Sequence, residues 1–373
     1  MSVSIRDVAG GGDLGRFIRF PFRLYRGNPY WIPPLLIDEH NTLNPEKNPA
    51  YRHCRVRLLL AEENGRLLGR AAAIINAKYI QKWGKKYCRF GWLDFVDDPR
   101  VSAALLGEVE GWARQNGLEA VHGPLGFTDL DREGMLIEGF EELGTYSTYY
   151  NHPYYPRHLE ALGYGKDVDW IEFFISAPKE IPEKVLRIQE LVLKRSGLRL
   201  VEPKLKTMMA YAQRIFAMVN EAYAGLYGVV ELTPEQVDMY VKQFFSFLNP
   251  DYAKIVVDAE DQVVAFGLAI PSLSRALQRG RGRLLPFGFL YLLWALKHPR
   301  IIDMLLVAVK PEYQARGLTA ILMTEITRNS LLHGVRGAET NPELEDNTQV
   351  QAIWKHYDAR RHKRRRCFIK RLV

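Results

Sequence analysis

The sequence has few cysteines and no long hydrophobic run. Its three cysteines, Cys54, Cys88 and Cys367, are odd in number and lie far apart in a chain of 373 residues. They form neither a disulfide framework nor a zinc-binding spacing, which is typical of a protein in a reducing compartment. The longest apolar stretch, residues 284–296, is shorter than the roughly 20 residues that a membrane-spanning helix needs. Residues 1–7 contain no apolar signal region, so we expect a cytoplasmic protein.

The chain carries an excess of positive charge. It has 51 lysine and arginine residues against 43 aspartate and glutamate residues, which gives a formal net charge of +8 and a pI near 9.2. This excess suits a polyanionic partner such as nucleic acid, an anionic membrane face or a phosphate-bearing cofactor, and it also favours solubility in general. The length and the 47% of hydrophobic residues predict two domains, at about 150 residues per domain.

Residues 301–332 predict a strand, a tight turn and a helix in succession. Ile301–Val309 is an apolar run with a single aspartate, short enough for a buried strand, and Pro311 ends it. Gln314–Gly317 predicts the turn, and Leu318–Leu332 repeats apolar residues at helical spacing. Because a glycine-bearing turn before a helix presents free backbone N–H groups, this stretch predicts a phosphate-binding site.

The two halves of the chain predict the same order of elements, β-α-α-β-β-β-α-β-α-β. Each half contains a hairpin, the first with Asn64-Gly65 at its turn and the second around residues 259–261. The halves share no residue-level repeat, so the repeat is one of architecture. Residues 176–182 contain two prolines and mark the boundary, which predicts domains at 1–177 and 178–373.

Two motifs in the second half resemble those of the GNAT superfamily of acyl-CoA-dependent acyltransferases. Members carry Val-x-Pro at the end of a central strand, followed by Gln/Arg-x-x-Gly-x-Gly/Ala at the next helix. This chain has Val309-Lys-Pro311 and then Gln314-Ala-Arg-Gly-Leu-Thr319, in which the final threonine departs from the pattern. The resemblance implies an α/β fold of two tandem GNAT-like domains, each a mixed central sheet flanked by helices. The equivalent position in the first half, residues 95–101, has two aspartates and no glycine turn, which indicates a lost phosphate loop.

The same resemblance implies acetyl-CoA, or another acyl-CoA, as the cofactor. Backbone N–H groups at the end of the central strand would polarise the thioester, and the turn would hold the pyrophosphate. An asparagine before the last helix would bind the pantetheine arm, although it is equally suited to capping that helix. The expected cofactor-binding residues are Val307, Ala308, Val309, Gln314, Ala315, Arg316, Gly317, Leu318, Thr319 and Asn347.

The catalytic groups are less clearly marked. Many GNAT enzymes use a tyrosine on the last helix to protonate the departing thiolate, and in this chain that position is Trp354. Tyr357, one helical turn later, is therefore the expected acid. Asp303, Glu339 and His333 are candidate bases, and each also has an ordinary structural interpretation. No metal is expected.

Two loops of the first half, residues 123–129 and 144–155, combine tight turns with clustered tyrosines. Loops of this kind often line polar pockets, so we expect an acceptor or other small ligand there, while a tyrosine-rich packing interface remains the alternative. The expected substrate-binding residues are Phe127, Tyr146, Tyr149, Tyr150 and Asn151.

Residues 271–300 are an insertion in the second half, and residues 360–366 are the densest basic run. The insertion places four arginines before an aromatic, apolar segment, which suits an anionic membrane face or a fatty chain and equally suits packing on the other domain or on a dimer partner. The basic run leads into the predicted last strand and is interpreted as a solvated strand edge. Nucleic acid is not an expected partner, because no aromatic platform accompanies the run.

The sequence therefore predicts an N-acyltransferase that binds acyl-CoA in its C-terminal domain and passes the acyl group directly to a small-molecule or lipid amine. Three alternatives remain. Trp354 and Thr319 favour a non-catalytic protein that binds acyl-CoA or another ligand. The basic composition favours an aminoacyl-tRNA-dependent transferase. The insertion favours a lipid N-acyltransferase.

Overall fold

The structure is a computed structural model that describes residues 2–245, 248–314 and 316–372, without the side chains of residues 244 and 245. Its described part is a mixed α/β fold with one large sheet. The elements of the first half are β1 (Ser4–Asp7), α1 (Gly10–Leu24), α2 (Leu36–Thr42), β2 (Cys54–Glu63), β3 (Arg66–Asn76), α3 (Ala77–Trp83), β4 (Tyr87–Phe95), α4 (Pro99–Gln115), β5 (Ala120–Gly123), β6 (Met135–Glu138), α5 (Tyr154–Ala161) and β7 (Gly165–Ser176).

The second half repeats this succession with an additional helical pair before its central strand. Its elements are α6 (Glu183–Ser196), β8 (Arg199–Leu200), α7 (Leu205–Ala222), α8 (Pro234–Phe245), β9 (Ala253–Val257), β10 (Val263–Pro271), α9 (Ser274–Gly280), α10 (Gly288–Lys297), β11 (Ile301–Val309), α11 (Leu318–Leu332), β12 (Gly337–Glu339), β13 (Glu343–Leu344), α12 (Thr348–Trp354) and β14 (Ala359–Arg371).

The repeated order of elements is confirmed, and local chemistry explains much of it. Asn64 and Gly65 both have positive φ angles, 52° and 75°, as the tight turn of the β2–β3 hairpin requires. Gly117, with φ 66°, follows the end of α4 in the left-handed conformation that terminates helices. Sequence analysis missed α3, which begins where the Asn76 side chain accepts a hydrogen bond from the Tyr79 N–H.

The sheet is continuous across the two halves because they exchange strands. Its order is β1-β2-β3-β4-β5-β14-β7-β12-β11-β10-β9-β8, with β6 beside β14 and β13 beside β7. Strand β14, the last in the sequence, lies between β5 and β7 of the first half, and β7 pairs in turn with β12 of the second half. The predicted boundary near residue 177 describes the order along the chain, while the sheet itself runs across it.

The interpretation of residues 360–366 as a solvated strand edge is wrong. Strand β14 has a neighbour on each side, and Lys363 and Arg365 are only 1% exposed. Both pair with Glu172 on β7, with Lys363 Nζ 3.2 Å from Oε2 and Arg365 Nε 2.5 Å from Oε1, and Lys363 Nζ also lies 3.0 Å from Glu339. Burial would raise the pKa of Glu172, but the charges of Arg365 and Lys363 outweigh it and hold that pKa below its ordinary value. The basic run therefore forms buried ion pairs across the seam between the halves.

Candidate functional site

The central strand of the second half has an open edge. Strand β11 pairs with β10 along most of its nine residues, but it pairs with β12 only over Ile301–Asp303. In the described part of the chain no strand pairs with residues 304–309 on that side. Strands β11 and β12 thus separate after their first three residues, which leaves backbone groups of β11 free to meet a ligand or a side chain.

Side chains satisfy two positions along this open edge. The Tyr223 hydroxyl, at the end of α7, accepts a hydrogen bond from the Val307 N–H at 3.2 Å and donates one to the Val307 carbonyl at 2.9 Å. The Asn341 side-chain amide donates to the Leu305 carbonyl at 3.1 Å. Burial raises the pKa of Tyr223, so its hydroxyl keeps its proton at neutral pH. Neither Tyr223 nor Asn341 was predicted, since only the fold brings them to β11.

A cavity of about 300 Å³ opens beside this edge. Its walls are mostly apolar and come from α7, α8, β9, β10, β11, α11, β13 and α12 of the second half, with Trp170 of β7 and loop residues of the first half also contributing. Of the predicted cofactor-binding residues, Val307, Thr319 and Asn347 line the cavity. Asn347 also accepts a hydrogen bond from the Val350 N–H and so caps α12, while its contact with the pantetheine arm stays a prediction.

The predicted phosphate turn lies at the start of α11. Gly317 has φ 80° and is exposed, and a Cβ added there would meet no atom within 4 Å. Among the described residues no side chain caps the helix, so the first N–H groups of α11 are available for an anion. The exposed Arg316 guanidinium lies 5.0 Å from the Tyr313 ring centre.

The remaining predicted residues of this region have separate surroundings. Gln314 is exposed and donates a side-chain hydrogen bond to the Val309 carbonyl at 3.3 Å, and Ala315 falls outside the described residues. Leu318 and Ala308 are both buried, but they belong to two different hydrophobic clusters, which lie on opposite faces of β11. The structure therefore brings the turn, the open edge and the cavity to one end of the central strand.

Carboxyl groups from both halves face the cavity. Glu343, on β13, accepts hydrogen bonds from the Trp354 indole N–H at 2.9 and 3.1 Å, and burial raises its pKa to about 7. Asp129, Asp131 and Glu133 come from the loop after β5, and burial raises the pKa of all three, that of Asp131 to about 6. A carboxyl group that ionises near neutral pH is suited to accept a proton. Sequence analysis did not single out these four residues.

The predicted catalytic residues do not line this cavity. Asp303 is buried in the paired part of β11, where burial and then Glu339 raise its pKa to about 7. Glu339 lies 2.9 Å from His362 Nε2 and 3.0 Å from Lys363 Nζ. His333 lies at the end of α11, 3.0 Å from Asp251. The roles proposed for these residues stay predictions, and their positions do not favour them.

Tyr357 does not lie on the last helix, because α12 ends at Trp354. It lines a separate, smaller pocket near the start of β11. Met304 and Met323 line both this pocket and the main cavity and so lie between the two. The predicted one-turn spacing between Trp354 and Tyr357 therefore fails, because the chain has already left the helix.

The predicted substrate residues make structural contacts, most of them within the first half. Phe127 packs against Tyr51 and Trp92 in the core, and the Tyr146 hydroxyl donates to Asp38 at 2.7 Å. Tyr149 accepts a hydrogen bond from Arg365 at its carbonyl, the Asn28 amide donates to the Tyr150 hydroxyl, and the Asn151 amide bonds both backbone groups of Leu136. None of the five lines the cavity; Ser147 does, and its hydroxyl donates to Asn341.

One group of potential metal ligands occurs among the described residues. His122 Nδ1, a carboxylate oxygen of Asp167 and Cys367 Sγ lie within 4.8 Å of one another. The Tyr227 hydroxyl lies among them and hydrogen-bonds to all three side chains. These contacts link residues of both halves through the Tyr227 hydroxyl, while the other ring nitrogen of His122, Nε2, is buried without a hydrogen-bond partner among the described residues.

Comparison with known sequences gives two long matches. A scan against protein-family profiles finds no matching family. The chain is 29% identical over 376 residues to Protein YghO of Escherichia coli K12, which covers 99% of this chain and 95% of that protein. It is 28% identical over 298 residues to a protein of Caulobacter vibrioides named bacterial ceramide synthase, which covers 79% of this chain and 77% of that protein.

Comparison with solved structures identifies the fold. A tandem GNAT protein from the clavulanic acid biosynthesis pathway superposes with a TM-score of 0.58 over 99% of this chain and 98% of its own, at 14% identity. A conserved Enterococcus faecalis protein described as a probable N-acyltransferase gives a TM-score of 0.53 over 100% of this chain and 73% of its own, at 8% identity. The predicted α/β fold with a tandem GNAT arrangement is therefore confirmed. No helix among the described residues is long and apolar enough to cross a membrane.

Proposed function

We propose that the protein is an acyl-CoA-dependent N-acyltransferase that joins a fatty acyl group to the amino group of a long-chain amine. The observation that carries this proposal is the apolar cavity, which meets the open edge of β11 at Val307 and the uncapped start of α11 at Thr319. An acetyl group would leave most of such a cavity unfilled. We therefore favour a long acyl chain over the acetyl group that the sequence motifs alone suggest.

The relative named bacterial ceramide synthase supports the choice of acceptor. A ceramide is the amide of a fatty acid with a long-chain amino alcohol, so its formation is an N-acylation. That relative is 28% identical over 79% of this chain, and its name alone gives no residue roles. The apolar walls of the cavity and the carboxyl groups at its side, however, suit an apolar amine that is positively charged in water.

The residues present fit an acyl-CoA. The free N–H groups at the start of α11 and the exposed Arg316 would hold its phosphates, and the absence of a side chain at Gly317 leaves room for them. The open edge of β11 would take the amide groups of the pantetheine arm, which extend like a strand. The bound thioester supplies an activated acyl carbon.

The remaining chemistry falls to residues of this chain. The Val307 N–H would polarise the thioester carbonyl by donating a hydrogen bond to it. To do so, it would first have to break its hydrogen bond to the Tyr223 hydroxyl. The ammonium form of the amine first loses one proton to solvent, and Glu343, whose pKa burial raises to about 7, would accept the second proton from the neutral amine as the C–N bond forms. Tyr223, which is protonated at neutral pH, would donate a proton to the sulfur as the C–S bond breaks.

The test compares two glycines at opposite ends of α11. Gly317 and Gly334 both have positive φ angles, 80° and 70°, and neither has an atom within 4 Å of an added Cβ. Gly317→Glu would place a negative charge at the pyrophosphate and is expected to weaken acyl-CoA binding about 100-fold, whereas Gly334→Glu should bind as wild type does. Calorimetric titration with acetyl-CoA and palmitoyl-CoA measures both.

Turnover is measured separately, as thiol released from palmitoyl-CoA with a long-chain amine as acceptor. Release that depends on the amine, and that is faster with palmitoyl-CoA than with acetyl-CoA, is the expected result. If acyl-CoA binds but no thiol is released with any amine tested, the protein is instead a non-catalytic acyl-CoA-binding protein. If neither thioester binds wild type, the proposal is wrong.

A further inference from the structure

Residues 271–300, the insertion that contains α9 and α10, carry charge of one sign only. This stretch contains six basic residues and no acidic one, although the whole chain has 43 acidic residues. All six are exposed, and among the described residues none of them forms an ion pair. The six are Arg275, Arg279, Arg281, Arg283, Lys297 and Arg300. Most other arginines of this protein pair with a carboxylate. These six basic residues do not, so they form a positive surface without a counterion among the described residues.

The same insertion exposes most of its large apolar side chains. Helix α10 buries only Gly288 and Leu292. Leu285 is 75% exposed, Phe287 63% and Trp294 56%. Phe289, Leu290, Tyr291 and Leu293 are also exposed. A contiguous apolar patch of this kind is rare on a soluble monomer and marks a site of contact.

The basic residues and the apolar helix lie next to each other. A Cβ added at Gly280, the last residue of α9, would lie 3.2 Å from the Cα of Gly288, the first residue of α10. Arg279, Arg281 and Arg283 lie at this junction. The aromatic and aliphatic side chains of α10 are therefore bordered by cations.

The insertion is also fixed to the wall of the cavity. Leu277 and Leu292 of the helical pair belong to one hydrophobic cluster with Leu305, and Leu268 and Leu306 pack against that cluster. Leu268, Leu305 and Leu306 also line the cavity. A single layer of leucine side chains therefore separates α10 from the cavity.

We propose that residues 271–300 dock the protein on the face of an anionic lipid bilayer, with α10 in the interface and the basic residues against the lipid headgroups. Aromatic and aliphatic side chains on one side and lysine or arginine around them are the two features that interfacial helices use. Helix α10 has 10 residues, too few to span the bilayer, so it lies in the interface plane.

A second copy of the chain suits this surface less well. In a two-fold symmetric contact the same patch meets itself, which would bring two sets of six unpaired cations together. Anionic headgroups neutralise these cations, and the acyl region takes up the apolar side chains. The cavity behind α10 is then placed where membrane lipids with long chains are available.

The first experiment is flotation of the full-length protein with vesicles that contain phosphatidylglycerol and with vesicles of phosphatidylcholine alone. Wild type should float with the anionic vesicles and remain behind with the neutral ones. Raising the salt from about 0.1 M to about 1 M, which shortens the Debye length from about 10 Å to about 3 Å, should release most of it. Equal binding to both vesicles, or to neither, overturns the proposal.

Charge reversal locates the contact. Arg279→Glu/Arg283→Glu should weaken the partition onto anionic vesicles at least about 25-fold, because each basic residue near such a surface contributes about a factor of five. Lys194→Glu/Arg195→Glu makes the same charge change on exposed residues of α6 and should alter binding less than about threefold. Equal losses in the two variants would mean that net charge, and not this surface, binds the vesicle, which contradicts the proposal.

The apolar part is tested with a second matched pair. Phe287→Ser/Trp294→Ser should weaken binding at least about tenfold, since both side chains would leave the bilayer interface. Ile188→Ser/Leu191→Ser removes two side chains of α6 that are 50% and 51% exposed, and it should bind as wild type does. Circular dichroism establishes that each variant is folded, and the salt titration of wild type tests the proposal even if one is not.

Sedimentation of wild type without lipid gives the competing outcome. A dimer that Phe287→Ser/Trp294→Ser converts to a monomer, together with no vesicle binding by wild type, would assign the surface to a second copy and overturn the proposal. Vesicle binding needs no acyl-CoA and no turnover. Its failure is therefore distinguishable from a failure of the proposed acyltransferase activity.

Discussion

The two halves share one architecture, but they fill the opening beside their central strand differently. In the first half β4 pairs with β5 over only three residues, as β11 pairs with β12 in the second. The opening of the first half is closed by its own chain: the Leu125 N–H donates to the Phe90 carbonyl, and the Tyr155 hydroxyl accepts from the Phe95 N–H at 3.0 Å. In the second half a cavity of about 300 Å³ occupies this place.

Helices α4 and α11, which follow these central strands, also differ in whether the protein itself caps their first N–H groups. Helix α4 is capped by Asp98, whose carboxylate accepts a hydrogen bond from the Arg100 N–H and pairs with the Arg100 guanidinium at 2.6 Å. Helix α11 is preceded by Gly317 and has no side-chain cap among the described residues. One helix therefore satisfies its own N-terminus and places a negative charge there, while the other leaves it for an anion. The shared fold gives the opening, and a few side chains decide whether a ligand can enter it.

The largest expected effect concerns the carboxylate of the second opening. Glu343→Gln should lower kcat about 10²- to 10⁴-fold if Glu343 accepts the amine proton. In wild type the rate should fall as the pH drops below about 7, because protonation of the carboxyl removes the base. Thiol release measured against pH gives both results.

Glu345→Gln is the matched control, since it lies two residues away and pairs with Arg364 at 2.5 Å outside the cavity lining. Its rate should stay within about threefold of wild type. A Glu343→Gln variant with the wild-type pH profile would show that the base lies elsewhere.

The next effect concerns the seam at which the halves exchange strands. Glu172→Gln would leave the buried cation of Arg365 without a carboxylate and Lys363 with Glu339 alone, which should lower the free energy of unfolding by about 3–5 kcal/mol. Glu138→Gln breaks the half-exposed pair with Arg361 on the same strand and should cost less than about 1 kcal/mol. Urea denaturation of the two variants compares them, and equal costs would contradict the buried network.

Two tyrosines sharpen the contrast between a closed and an accessible opening. Tyr155→Phe removes a hydroxyl that bonds Tyr25 at 2.9 Å and the Phe95 N–H, and should destabilise the protein by about 1–3 kcal/mol. Tyr223→Phe frees the Val307 N–H toward the cavity, where water can replace the hydroxyl, so its cost should be below about 1 kcal/mol.

For activity, Tyr223→Phe should have the larger effect and Tyr155→Phe the smaller, the reverse of their effects on stability. Under the proposed mechanism Tyr223→Phe should slow thiol release about 10- to 100-fold through the lost proton donor, while Tyr155→Phe should leave the rate of the folded protein nearly unchanged. Thermal or urea denaturation and thiol release, measured on both variants, test the two orders together. A Tyr155→Phe variant with the larger loss of rate would contradict the assignment of the second opening as the reactive one.

The smallest effect concerns the helix cap of the first half. Asp98→Ala should lower the free energy of unfolding by about 1 kcal/mol, the usual cost of a lost N-cap. It should create no second acyl-CoA site, because Tyr155 and Leu125 still close the opening. Calorimetric titration that gave two equivalents of acyl-CoA bound would break the contrast between the halves.

Local features of the fold were predictable from the sequence. The turn at Asn64-Gly65, the helix end at Gly117 and the strand–turn–helix around Gly317 each depend on residues that are neighbours in the chain. Backbone geometry and hydrophobic periodicity act at this range, which is why the repeated order of elements followed from them. Tyr357 shows the limit, since its predicted helix ended three residues earlier.

The sequence by itself determined the order of elements, the paired halves and the position of the glycine turn before α11. Only the tertiary structure decided which residues face the cavity and which charges are buried. Tyr223 meets Val307 across 84 residues, and Arg365 meets Glu172 across 193. Periodicity indicates that a side chain is buried, but not which strand will supply its partner. The exchange of β14 into the first half is what turned a basic run into a buried ion-pair network.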